Sequence, residues 1–96
     1  MITKEEILKT LAEDKPRLRQ QFKVRKLALF GSYARGDQRQ DSDVDILVDV
    51  DPSIGLEFVT LAESLEKSLK VPVDLVSSRA VTPQAFKFIE PELIYV

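Results

Sequence analysis

The 96 residues contain no cysteine, no histidine and only three glycines. Without cysteine there is no disulfide framework, no thiolate zinc site and no thiol nucleophile, and a reducing compartment suits the chain. Without histidine the usual general base is missing, so any catalysis must rest on carboxylates, lysines, hydroxyls or a bound metal. No apolar run approaches the ~18 residues a membrane span needs. The opening "MITKEEILKT" reads as a helix, not as a basic region followed by a signal core. A cytoplasmic protein with no membrane partner is expected. The formal net charge of −2 offers no bulk attraction to nucleic acid, and direct nucleic-acid binding is not expected. What is present, 44% hydrophobic and 31% charged residues, is the profile of a globular protein. The length is that of one small domain, residues 1–96, able to bury about 60 to 65% of its unfolded surface.

Local patterns order the elements. Thr3 with Glu6 three residues on is a capping box, followed by Ile7, Leu8, Leu11 and Ala12 on one helical stripe, with an end expected near Asp14 and Lys15. Pro16 permits a fresh helical turn through Phe22. Lys15 to Lys26 gathers six basic residues; such a segment is a solvated face or a contact for an acidic partner, a phosphate chain or RNA. Leu27–Phe30 reads as a buried strand ended by Gly31. Residues 43–50 alternate as a second strand, with Val44, Ile46, Val48 and Val50 on one face and Asp43, Asp45, Leu47 and Asp49 on the other. From Gly55 to Lys70, apolar residues recur at helical spacing. "VPVDLV", 71–76, is a third strand with Pro72 at its start or on an edge. Thr82 and Pro83 open a last short helix, and "LIYV" is a fourth strand or a docking tail. The order predicts an α/β (α+β) fold, a small mixed sheet of three to four strands with helices packed on one face and the acids on the other.

Two acids inside an apolar strand require a reason. Residues i and i+2 share a face, which sets Asp43 and Asp45 roughly 6 to 7 Å apart. Their charges repel unless a cation neutralises them, and an all-oxygen donor set selects Mg²⁺ or Mn²⁺ over Zn²⁺. Asp74 lies in the next strand among apolar neighbours, where burial is expected. If that strand pairs with the one carrying Asp43 and Asp45, a third carboxylate reaches the same ions and can accept a proton from an attacking hydroxyl. Gly31 lets a ligand approach the backbone, and the Ser32 hydroxyl with neighbouring N–H groups can bind a phosphate oxygen. Arg35 adds a charge to a triphosphate or is a surface residue. Asp49 reads as a solvated strand terminus. Taken singly, each acid also fits a solvent-facing strand or a backbone cap; taken with Gly31-Ser32, the set points to phosphate and metal converging on one place.

Gly31-Ser32, ten residues, then Asp43-Val44-Asp45 within "LFGSYARG…SDVDILV" resembles the polymerase-beta-type nucleotidyltransferase superfamily. The likeness is greatest to its minimal nucleotidyltransferases, among them the antitoxins paired with HEPN-domain toxins. The resemblance implies two Mg²⁺ ions contacted by Asp43 and Asp45, with Asp74 joining the ion that activates the acceptor, and Gly31 and Ser32 on the β and γ phosphates of ATP. It implies transfer of AMP to a tyrosine of a partner HEPN-type toxin. The acceptor is expected to come from another molecule, docked on strand edges, the basic segment or the apolar tail Leu93–Val96. The alternative is a non-catalytic binding module that inhibits a partner nuclease by occlusion; transfer to a small hydroxylated molecule normally needs a second domain.

Overall fold

The computed structural model describes residues Met1–Val96. In the first helix, α1 (Lys4–Phe22), the Glu6 N–H donates to the Thr3 hydroxyl at 3.1 Å and the Thr3 N–H to the Glu6 carboxylate at 3.2 Å, completing the capping box. The helix does not stop at Asp14 and Lys15 but runs on through Pro16. An internal proline costs a helix about 3 kcal/mol, whereas each fully buried large apolar side chain contributes about 1.5 to 3 kcal/mol. Ile7 and Leu11 before Pro16, and Leu18 and Phe22 after it, all lie in the core, so the single stripe outweighs the break. Lys23, in the left-handed region at φ 59°, ends the helix with its N–H on the Arg19 and Leu18 carbonyls.

The first strand, β1 (Val24–Phe30), starts three residues before the apolar run because Val24 is itself buried. A register shift between Val24 and Lys26 explains why exposed Arg25 and Lys26 hid the start. One helical turn, α2 (Ser32–Arg35), follows Gly31, and β2 (Val44–Val50) begins one residue after Asp43. A short 3₁₀ turn at Pro52–Ile54 leads into α3 (Glu57–Leu69), which turns Leu61, Leu65 and Leu69 inward. Then come β3 (Val73–Ser77), α4 (Pro83–Ile89) and β4 (Ile94–Tyr95). Pro72 precedes β3, and the Ala85 N–H donates to the Thr82 hydroxyl at 3.1 Å to cap α4. "LIYV" thus supplies a strand.

The four strands order as β3-β2-β1-β4, with β1 antiparallel to β2 and β4 and β2 parallel to β3. A parallel neighbour needs a crossover, and α3 provides it. Alternation in β2 sends Val44, Ile46, Val48 and Val50 into a core shared with α1 and α3, which touch each other over the sheet. On the opposite face Leu47 is nonetheless buried, and Phe86 of α4 and Tyr95 of β4 line a cavity of about 170 Å³ with it. The far end of that face, at Asp45, stays open. No helix is long and apolar enough to cross a membrane.

Leu61 is wholly buried between helix and sheet. Leu61→Ala is expected to lower unfolding free energy by about 2 to 5 kcal/mol in urea titration; an unchanged midpoint would contradict this packing.

Candidate active site

The parallel β2–β3 ladder pairs Asp45 directly with Asp74, and the antiparallel β1–β2 ladder pairs Asp45 with Phe30, the residue before Gly31. Register therefore brings three sequence-distant positions into one row. Asp45 is half-buried, while Asp43, just ahead of β2, and Asp74 are exposed. Burial of Asp74, expected from its apolar neighbours, does not occur. β3 is an edge strand, and alternation turns this side chain away from the face that α3 covers.

Gly31 closes the row. Its backbone, at φ 79° and ψ −156°, occupies a region that essentially only glycine adopts. A Cβ added there would overlap Asp45 Oδ2 and lie 2.8 Å from its Cγ. The absent side chain is what lets the turn lie against the carboxylate. Ser32 follows, and no protein hydrogen bond engages its N–H or its hydroxyl. Arg35, at the end of α2, donates through Nη1 to Glu92 Oε2 at 2.8 Å and through Nε to Asp37 Oδ2 at 3.1 Å. Glu92 also accepts from the Gly31 N–H at 3.1 Å.

The electrostatics follow from this crowding. The Asp45 carboxyl is pushed up to about 6, first by burial, then by the charge of Asp74 and then by that of Asp43, against a smaller pull from Arg35. Asp74 also lies within hydrogen-bonding reach of it. An acid that holds its proton so far above the usual carboxylate range marks a place where positive charge is in demand. Asp43, Asp45 and Asp74 are oxygen donors suited to a hard divalent ion. They do not form a closed ligand set by themselves: Asp74 and Asp43 act on Asp45 through charge, and no three acids stand close enough to cage an ion unaided.

The concavities lie elsewhere. The largest, about 590 Å³, runs along the outer side of α3 past Thr60, Glu63, Ser64, Glu66 and Lys67 and is lined by no hydrophobic residue. Asp49 lies in the Leu47 cavity, opposite Lys26, well along the strand from Asp45. None of the cavities is lined by Asp43, Asp45 or Asp74.

A family model, the nucleotidyltransferase domain, matches residues 8–95, a span that includes the glycine-serine turn and all three aspartates. The chain belongs to this nucleotidyltransferase family. It is 45% identical to the protein adenylyltransferase MntA of Thermococcus cleftensis, over all of this chain and 98% of that one. A solved minimal nucleotidyltransferase superposes at TM-score 0.83 with 30% identity, covering 97% of this chain and 95% of the other. Two toxin–antitoxin complexes are also similar. One, with AMP-PNP, gives TM-score 0.65 and 28% identity over 98% of this chain and 72% of its counterpart. The other holds a tri-AMPylated Shewanella oneidensis HEPN toxin with its MNT antitoxin, at TM-score 0.59 and 26% identity over 96% and 66%. The protein is a minimal nucleotidyltransferase, an enzyme of the α+β fold read from its sequence.

Sequence reasoning did not find Glu92 in this nucleotidyltransferase. It is 61 residues from Gly31, and nothing local in "EPE" distinguishes it from a surface acid.

The raised Asp45 pKa carries a sign. Between 3.8, its ordinary value, and about 6 the folded state binds the proton that the unfolded state has released, so stability falls as pH rises through that window. Discounted for solvent screening of a half-exposed group, the loss is roughly 1 kcal/mol. With EDTA present, urea midpoints are expected to decline from pH 4 to 6.5 in the wild type and to lose that component in Asp45→Asn. Equal slopes for the two would refute the assignment.

Proposed function

We propose that this nucleotidyltransferase transfers AMP from ATP to a hydroxyl, a tyrosine side chain, of a HEPN-type toxin, and thereby acts as its antitoxin. The observation that carries the reading is the row itself: Asp45 beside Asp74, Asp43 next to them, and the Gly31-Ser32 turn pressed against Asp45. Support also comes from the adenylyltransferase name of the Thermococcus relative and from the AMP-PNP-bound and AMPylated toxin–antitoxin neighbours.

In this reading Asp43, Asp45 and Asp74 would hold two magnesium ions, which would supply electrostatic stabilisation of the reacting phosphate. The chain's own residues do the rest. Ser32 donates its N–H and hydroxyl to the β and γ phosphates, and Gly31 permits their close approach. Asp74, on the exposed edge, takes the proton of the acceptor hydroxyl. The acceptor oxygen bonds to the α-phosphorus, the bond from that phosphorus to the β-phosphate bridging oxygen breaks, and pyrophosphate leaves. The open face suits an acceptor presented by another protein, and residues 1–96 act as one domain. The lack of cysteine suits a cytoplasmic setting.

Intact mass of an isolated partner toxin, after incubation with ATP and Mg²⁺, is expected to rise by whole adenylyl units. Asp43→Asn and Asp45→Asn should each slow the gain by at least roughly 100-fold, the scale of losing an electrostatic contributor to the transition state, and should leave the toxin active. Inhibition persisting in either variant with no mass gain would favour occlusion and sink transfer.

A further inference from the structure

We propose that Glu92 is a positioning residue for the nucleotide, its carboxylate bracing the Gly31-Ser32 turn and Arg35 in the arrangement that receives the triphosphate. The inference rests on the assignment of that turn to ATP and deepens it by adding a residue from the far end of the chain.

One carboxylate spans both ends of the α2 turn: Oε1 accepts from the Gly31 N–H at 3.1 Å and Oε2 from Arg35 Nη1 at 2.8 Å. Charge-assisted bonds of this kind are the strong ones. Asp37 takes the Arg35 Nε at 3.1 Å, so the guanidinium has a carboxylate partner on two sides. The Glu92 side chain is only 24% exposed, against 61% for Asp37, which makes Glu92 the firmer of the two supports. Its own placement is fixed by the sheet, for β4 begins two residues later and pairs with Ala28 and Leu29 of β1.

Gly31 is therefore gripped on two sides. The position its Cβ would fill is taken by the Asp45 carboxylate, and its N–H is taken by Glu92. Ser32 is left as the residue whose N–H and hydroxyl face no protein acceptor. A brace that satisfies Gly31 internally and leaves Ser32 free sorts structural donors from ligand donors. Loss of Glu92 would release Gly31 from one side and free Arg35 to collapse onto the acidic row, in which its charge already acts on Asp45.

The opposite role would have the opposite sign. A carboxylate merely occupying the phosphate's place would compete with ATP, and its removal would tighten binding.

The test uses the full chain as wild type, Glu92→Ala and Glu92→Gln. Calorimetric binding of Mg²⁺ with an ATP analogue whose α,β-bridge is a methylene is expected to weaken about tenfold in Glu92→Ala. Glu92→Gln, which keeps one carbonyl for Gly31, should fall between. In transfer assays KM for ATP should rise more than kcat falls. The chain has three glycines, so the Gly31 amide is easily followed by NMR. It should shift in Glu92→Ala while that of distant Gly55 stays, which also establishes that the variant is folded. Unchanged or tighter analogue binding by either folded variant overturns the brace. A wild type that binds the analogue in a Glu92-dependent way but modifies no acceptor upholds the brace and overturns the transfer reading. A wild type that binds no analogue overturns both.

Discussion

Asp45 and Asp74 are register partners across a parallel ladder, so the backbones that carry these two acids stand about one strand spacing, ~4.8 Å, apart. Unit charges at that distance repel by roughly 1 kcal/mol in water and by about 3 kcal/mol at an effective permittivity near 20. A strand that places an acid where its neighbours Val44 and Ile46 are wholly buried accepts that repulsion and the desolvation of Asp45 besides. The remainder of the site is arranged around this cost. Arg35 lowers it through charge, Asp43 raises it further, and Gly31 packs directly on the carboxylate that bears it.

The fold makes the juxtaposition possible by separating two faces of one small sheet. Alternation in β2 commits its valines and Ile46 to the helical side, where α1 and α3 complete the core. The same alternation obliges Asp45 and Leu47 to the other side. There Phe86 and Tyr95 line a cavity with Leu47, while Asp45 is half-buried between exposed Asp43 and Asp74. Apolar burial thus secures the backbone that holds charges in an unfavourable arrangement.

Much of this was legible locally. The Thr3–Glu6 box, the Leu61-Leu65-Leu69 stripe and the alternation of β2 are properties of neighbouring residues, and each appears in the fold. The continuity of α1 through Pro16 was not legible, because it depends on burial at both ends of the stripe and not on the proline. The early start of β1 was masked by exposed Arg25 and Lys26 at a register shift. In the site, the Gly31-Ser32 turn and the Asp43-Asp45 pair stood out by residue type, and Asp74 by its oddity in an apolar strand. Its exposure depends on β3 being an edge, which is a fact of strand order. Glu92 reaches Gly31 only through the pairing of β4 with β1, a contact written nowhere in its own neighbourhood.

The central claim is that the acids of β2 and β3 gather divalent metal in front of the glycine-serine turn. Crystals grown with Mn²⁺ and a non-cleavable ATP analogue, with data collected for manganese anomalous scattering, test it most directly. Anomalous peaks should lie between the carboxylates of Asp43, Asp45 and Asp74, with the analogue's phosphates at Ser32. Manganese bound elsewhere on the chain, with these three side chains contacting none, would contradict the account.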